Sequence, residues 1–279
     1  MPENDHSVEA LISLIDISRH LVVLTGAGCS TESGIPDYRD AEGEWKHSRP
    51  IQYPDFVRSH ATRQRYWARS MIGWQRVADA RPNRAHVALA RLEHAGKIRH
   101  LITQNIDGLH QLAGSRNVID LHGRLANVLC LACGRRQTRK ALQRELLSLN
   151  PDWQRFNVVA APDGDARLET DFRSFRVPDC GRCGGFLKPD VVFFGENVPS
   201  ERVAESLHEL AAADTLLVAG SSLMVWSGLR YVRAASKRGI PTALINLGRT
   251  RADELFTHRV NLNCGDTLHQ ISERVLQPA

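Results

Sequence analysis

Four cysteines hold the plainest chemistry in the chain. Cys130-x2-Cys133 and Cys180-x2-Cys183 are separated by 46 residues, Gly134 to Asp179. Each pair is a knuckle offering two thiolates to one tetrahedral ion, and Gly134, Gly181 and Gly184 permit the tight turns that knuckles need. Four thiolates leave no open coordination position, so the expected zinc is structural and no Lewis acid. A thioredoxin-like redox reading predicts one such pair beside a βαβ unit, whereas here two pairs flank an irregular segment. Cys29 and Cys264 are left over and are expected to be small buried residues in the cofactor region, without a catalytic part.

A second group of reactive types lies where apolar runs end. Gly26 and Gly28 follow the run from His20, and a Gly-x-Gly turn after a strand lets backbone amides approach a pyrophosphate. Thr31 stands where the third glycine of the dinucleotide fingerprint belongs, so the motif alone also fits a tight turn with no ligand. Ser33, Gly34, Pro36, Asp37 and Arg39 form a turn-prone charged segment suited to covering a cofactor. TQNIDGLH, from Thr103, sets Gln104, Asn105 and Asp107 at another strand end, as ligand contacts or as a helix cap. His122, immediately before Gly123, ends a third strand. Its unperturbed pKa of about 6.5 suits a general base.

These residues require a scaffold of parallel strands. HLVVLTGAG, KIRHLITQNID, VIDLHG, PDVVFFGE, TLLVAGSS and IPTALINLG are short apolar runs without strict alternation, each closed by a turn signal. Such runs suit strands buried on both faces of a parallel sheet. Helical periodicity over Val8–Arg19, His86–His94, Glu201–Ala212 and Leu229–Lys237 completes a doubly wound, Rossmann-like α/β pattern. Two segments interrupt it: a loop with helices and a stretch containing the cysteine pairs and the polar APDGDARLETD from Ala161. The expected organisation is one catalytic domain with a large part over about 1–39, 98–125 and 186–279. The smaller helical and zinc-binding insertion takes about 40–97 and 126–185.

Bulk properties narrow the class. The 279 residues, 42% hydrophobic and 24% charged, are globular values. The net charge of +5 is spread out with no basic tail, giving no nucleic-acid footprint. The first ten residues carry three acidic side chains and fit neither a signal nor a transit peptide, and no run is long enough to span a membrane, so a cytoplasmic protein is expected. Oligomeric state is left open, a monomer included.

The run Gly26-Ala27-Gly28-x-Ser30-x-x-Ser33-Gly34-Ile35-Pro36-Asp37-Tyr38-Arg39 resembles the opening signature of the sirtuins. The resemblance extends to about Cys264. DFVRS, RQRYWARSMIGW, LCLACG, LNPDW and APDGD are similar to the class II branch, which includes a mitochondrial member and bacterial relatives. It implies NAD as co-substrate, contacted by Gly26, Ala27, Gly28, Ser30, Ser33, Pro36, Asp37, Tyr38 and Arg39. Tyr38 stands where many members have Phe and is implied to shield the reacting ribose carbon. Gln104 is assigned to the nicotinamide ribose, Asn105 to a water or ribose contact, and Ile106 and Asp107 to the nicotinamide carboxamide. Gly220, Ser221, Ser222, Asn246, Leu247, Gly248 and Cys264 are assigned to the ADP half, Gly-Ser-Ser replacing the usual Gly-Thr-Ser. By the same resemblance Val191, Val192, Phe193 and Gly195 receive an acyl-lysine protein or peptide as an added strand. His122 is implied to be the base that deprotonates a ribose hydroxyl, giving free lysine, nicotinamide and O-acyl-ADP-ribose.

Three other functions share parts of this pattern. Protein mono-ADP-ribosyl transfer would use every NAD contact. A dehydrogenase would need the missing third glycine and a hydride-transfer site. A non-enzymatic NAD and zinc binding module is disfavoured by intact Asn105, Asp107 and His122. The acyl group depends on Tyr66 and Arg69, three apart and so on one helix face. Such a pair resembles the one by which some sirtuins recognise acidic acyl groups such as succinyl or glutaryl. Equally, Tyr66 could pack inward and Arg69 face solvent.

Overall fold

The structure is a computed structural model describing residues 7–46, 50–155, 168 and 170–277; the APDGD motif lies outside them. Nine strands are present among the described residues: β1 Leu21–Thr25, β2 Ile98–Thr103, β3 Val118–Asp120, β4 Gly123–Cys130, β5 Arg136–Thr138, β6 Leu187–Val191, β7 Thr215–Ala219, β8 Thr242–Ile245 and β9 His258–Val260. The helices are α1 Val8–Ile17, α2 Tyr53–Arg58, α3 His60–Asp79, α4 Arg84–His94, α5 Leu109–Leu112, α6 Arg139–Leu149, α7 Ser200–Ala212, α8 Trp226–Lys237 and α9 Cys264–Val275.

Six strands form a parallel sheet in the order β3-β2-β1-β7-β8-β9. Counted within that sheet the order is 3-2-1-4-5-6, the doubly wound arrangement whose crevice opens where the order reverses, between β1 and β7. Every residue of β1, β7 and β8 is buried. One face carries Leu21, Val23 and Leu217 against α1, α4 and α9, and the other carries Val22, Leu24 and Val218 against α8.

PDVVFFGE departs from expectation. Its first half belongs to β6, which pairs antiparallel with β4 in a separate three-stranded sheet of order β5-β4-β6. An apolar run shows that a strand is buried but carries no mark of its partner's direction. This smaller sheet and the helices α2, α3 and α6 enclose a second core around Phe56, Trp67, Val128, Leu142 and Phe175. Helix α4, expected in the small part, instead packs Ala85, Ala88, Leu89 and Leu92 into the core of the parallel sheet. Its start is set by Asn83, whose side chain accepts from the Ala85 and His86 amides in a capping box with His86.

The two sheets join at the carboxyl end of β3. His122 precedes β4 directly, Gly123 pairs with Val191 at the end of β6, and the Val192 amide donates to the His122 carbonyl at 2.8 Å.

Candidate active site and zinc centre

A cavity of about 610 Å³ opens at the carboxyl ends of β1, β2 and β7. Gly26, Ala27, Gly28 and Ser30 form one wall, and Gly220, Ser221, Ser222, Asn246 and Leu247 another. The glycine turn has a role that its motif does not disclose. The Gly28 amide donates to the Gly220 carbonyl at 2.8 Å, and a Cβ on Gly28 would lie 2.9 Å from Gly220 Cα. Two loops must touch here before either can meet a ligand. Ser33, Gly248 and Cys264 lie behind the lining. The Ser33 hydroxyl is buried with no partner, and the Cys264 thiol points to the Ile245 carbonyl at 3.4 Å. Cys29 is likewise buried, its thiol directed at the Ala219 carbonyl at 3.3 Å. Burial and the Cys264 thiol, the latter foremost, push the Cys29 thiol well above its ordinary pKa.

Pro36, Asp37, Tyr38 and Arg39 also line the cavity, on a segment closed by an Arg39–Trp45 bridge. Arg39 lies 3.9 Å over the Trp45 ring and donates to the Gly43 carbonyl, while Lys46 pairs with Asp37 at 2.6 Å. Tyr38, Trp45 and Phe194 meet edge to face, with centroids 5.5 to 6.2 Å apart. Tyr38 thus ties this cover to the segment following β6.

The end of β2 supplies a polar network. Asn105 Nδ2 donates to the Gly26 carbonyl at 2.9 Å and to Ser30 Oγ at 3.1 Å. Ser30 in turn donates to Asp107 at 2.7 Å, and the other Asp107 oxygen accepts the Leu109 amide at 2.9 Å, capping α5. Burial raises the Asp107 pKa against the pull of these donors. Gln104 donates to Ser221 Oγ at 2.8 Å, and Ile106 lines the same wall.

His122 faces the cavity with its tautomer set. Nδ1 lies 2.8 Å from the Gln104 carbonyl, which can only accept, so Nδ1 carries the proton and Nε2 is bare. Nε2 accepts from Ser227 Oγ at 2.9 Å. Burial lowers the His122 pKa, opposed by the Gln104 carbonyl and assisted by the charges of Arg202 and Arg230.

Val192, Phe193 and Gly195 line the cavity, whereas Val191 is the last residue of β6 just outside it. Behind them Lys188, almost wholly buried, pairs with Glu196 at 3.0 Å and also meets the Val191 carbonyl. Glu196 accepts the Phe193 amide at 2.8 Å. Tyr66 is buried one layer further back, its ring centroid 5.2 Å from Phe193, and half-buried Arg69 follows on α3. Neither lines the cavity.

The first turn of α8 is a part of the site absent from the sequence reading, which starts this helix at Leu229. Ser227, Arg230 and Trp226 line the cavity, and Gly228 lets the helix approach: a Cβ there would meet Gln104 Oε1 at 2.4 Å. The available signal was Ser-Gly at a helix start close after the Gly-Ser-Ser strand end.

The four cysteine sulfurs gather within 4.8 Å of one another, with Cys130–Cys183 at 3.6 Å and Cys133–Cys180 at 3.8 Å. A tetrahedral ion with metal–sulfur bonds of about 2.3 Å implies sulfur–sulfur edges of about 3.8 Å, so the set fits one zinc ion. With all four positions filled by thiolates, the ion fastens β4 to the turn before β6.

Comparison with known proteins accords with this geometry. The sequence model of the Sir2 family matches residues 26–227. The NAD-dependent protein deacetylase 2 of Bradyrhizobium diazoefficiens is 57% identical over 251 residues, covering 89% of this chain and 92% of that protein. The bovine mitochondrial NAD-dependent protein lipoamidase sirtuin-4 is 46% identical over 277 residues, covering 98% and 88%. A solved Sir2 structure with a p53 peptide and NAD+ superposes with a TM-score of 0.79 at 32% identity, covering 96% of this chain and 98% of that one. Another, bound to an acetylated peptide, gives 0.78 at 32% identity with the same coverage.

Proposed function

The chain belongs to the Sir2 family, and from that premise we propose that its cavity removes acyl groups from protein lysines at the expense of NAD, with His122 as general base. It is a class II sirtuin, an NAD-dependent protein deacylase with one structural zinc site. Acyl-lysine peptides or proteins are its substrates. The observation that carries the catalytic assignment is the bare Nε2 of His122, turned into a cavity shared with Asn105 and Asp107.

When bound, NAD supplies the ribose carbon that receives the acyl oxygen and nicotinamide as the leaving group. Gly26, Ala27, Gly28 and Ser30 offer the loop for its phosphates, and Ser221, Ser222, Asn246 and Leu247 the wall for its adenosine half. Ile106 and Asp107 orient the carboxamide, and Asp107 is held in place by Ser30 and the Leu109 amide. Tyr38, braced by Trp45 and Phe194, excludes water from the reacting face. Val192, Phe193 and Gly195 hold the peptide by its backbone. His122 takes up at Nε2 the proton of the ribose hydroxyl that attacks the acyl carbon, while Nδ1 stays anchored to Gln104.

The test is His122→Ala. The variant should keep its zinc and fold and lose turnover, with the wild-type product identified by mass spectrometry as O-acyl-ADP-ribose. ADP-ribose attached to protein would instead support mono-ADP-ribosyl transfer. Deacylation undiminished in the variant would remove His122 from the role of base.

The acyl preference extends this reading to groups longer or more acidic than acetyl. Support comes from Tyr66 lying against Phe193, which lines the cavity, and from Arg69 three residues further along α3. It also comes from the lipoamidase name of the bovine relative. Arg69→Met should lower the ratio of kcat/KM for carboxyacyl over acetyl peptides, and an unchanged ratio excludes Arg69 as a reader of the acyl group.

A further inference from the structure

The charges of the cavity wall are matched, with one exception. Lys46 pairs with Asp37 at 2.6 Å, Glu196 takes Lys188 at 3.0 Å, Asp107 accepts from Ser30, and Arg39 donates to the Gly43 carbonyl while lying over Trp45. Asp40 accepts from the Glu42 and Glu44 amides. On α7, Arg202 is turned toward Asp190 at 3.7 Å. Arg230 also lines the cavity, yet among the described residues it makes no hydrogen bond or ion pair, and its Nε is buried without an acceptor.

The placement of this guanidinium is specific. It stands three residues after Ser227 on α8, hence on the same helix face, and Ser227 touches the bare nitrogen of His122. Gly228 seats this turn of the helix against Gln104 with no room for a side chain between them. Arg230 therefore projects beside the base that works on the acyl carbon. A buried N–H without an acceptor is costly, and a guanidinium fork fits a carboxylate or a phosphate in two-point contact.

We propose that Arg230 is the seat for a carboxylate carried by the substrate, a further specificity residue on a different element from Tyr66 and Arg69. The inference rests on the deacylase reading of the site. Two sources share the chemistry: the far end of a dicarboxylic acyl chain on the lysine, and an acidic side chain next to that lysine in the peptide. Ser227 on His122 favours the first, because it puts Arg230 next to the reacting acyl group.

The test compares wild type, Arg230→Met and Arg230→Lys on three peptides of otherwise equal sequence. One carries succinyl- or glutaryl-lysine with neutral neighbours, one acetyl-lysine with neutral neighbours, and one acetyl-lysine flanked by Asp and Glu. The quantity read is a ratio of kcat/KM values between peptides, which cancels any effect of the substitution on folding or on the base. In Arg230→Met the ratio of carboxyacyl to neutral acetyl peptide should fall about 10- to 100-fold, the loss of a charge-assisted pair. Arg230→Lys, which keeps the charge but not the fork, should fall between. A fall confined to the acid-flanked peptide assigns the carboxylate to the peptide instead. Ratios unchanged in both arms, or a weakened NAD dissociation constant that lowers all three peptides alike, overturn the proposal. A wild type that binds NAD but releases nicotinamide with none of the peptides overturns the deacylase reading itself.

Discussion

Ser227 Oγ stands 2.9 Å from His122 Nε2, on the nitrogen that the Gln104 carbonyl leaves without a proton. The serine hydroxyl thus occupies, in the free protein, the lone pair that a substrate hydroxyl must reach. A hydroxyl both donates and accepts, so on protonation Ser227 can turn to accept from Nε2–H, and the contact holds the ring in either state.

The burial of His122 sets the pH dependence of kcat/KM, which reports the free enzyme. A base with a lowered pKa stays neutral into weak acid, so the acid limb should lie below the ordinary histidine value of about 6.5 and activity should be level through neutrality. Burial is the main cause, with Arg202 and Arg230 adding to it. In Ser227→Ala the acid limb should move by less than about half a pH unit, because the burial and the Arg202 and Arg230 charges that lower the base remain. Rate profiles from pH 5 to 9 decide the matter; a wild-type acid limb at or above about 6.5 contradicts a base lowered by burial.

Lys188 and Glu196 brace the segment that receives the peptide. Glu196→Ala leaves the buried Lys188 ammonium with backbone carbonyls but no carboxylate, and frees the Phe193 amide. The KM for peptide should rise on the order of 10-fold, with KM for NAD much less affected. Lys188→Met combined with Glu196→Ala should be more stable than Glu196→Ala alone, because no unpaired charge remains buried. Urea titration and separate KM measurements check both statements, and a double variant less stable than the single one contradicts the pairing.

Zinc removal should be felt at the site although no cysteine lines it. β4 runs from Gly123, next to His122, to Cys130, and β6 runs from near Cys183 to Val191, next to Val192. A chelator strong enough to strip the metal, or Cys130→Ser, should therefore reduce activity in step with loss of small-domain structure. Zinc content, the fluorescence of buried Trp67 and Trp153, and turnover should fall together. A metal-free protein that is fully folded and active would exclude a structural role.

His86 and His110 meet with ring centroids 4.7 Å apart and planes tilted by 52°, both buried. Burial lowers His86 to about 4, and burial with the neighbouring His86 charge takes His110 well below its usual value. Unfolded histidines bind protons from about pH 6.5 downward, whereas the folded protein leaves His86 neutral until about 4. The unfolded state then holds more protons across that window, so stability falls as pH falls. Between pH 7 and 5 His86 alone should cost on the order of 2 kcal/mol. Urea midpoints at the two pH values measure it; equal midpoints would show that one of the rings accepts its proton inside the fold.

The sequence disclosed what depends on residues near each other along the chain. The cysteine knuckles, the glycine turn, and the strand ends at Asn105, Asp107 and His122 are local patterns, and all converge in space. Hidden were the relations fixed by packing. The run containing β6 could not show that its partner is antiparallel β4. β9 is three residues long, too short for a periodic signal. The first turn of α8 carries Ser227, Gly228 and Arg230, whose importance comes from His122 and Gln104 more than a hundred positions away. Ser33, Gly248 and Cys264 match a motif yet sit behind the lining, because a motif records a segment and not which of its side chains faces the ligand.

The four sulfurs also bear on how this fold can change over generations. The segment from Gly134 to Asp179 leaves the metal at one knuckle and returns to it at the other. Its ends are pinned within a few ångströms of each other, whatever lies between them. Doubling the length of such a loop costs only about 0.6 kcal/mol in closure entropy. The zinc centre thus acts as a port for insertions: apart from β5, α6 and Phe175, which build the small sheet and the second core, the span behind it can lengthen or acquire new surfaces for recognising proteins, while the chemistry about 20 Å away along β4 is unchanged.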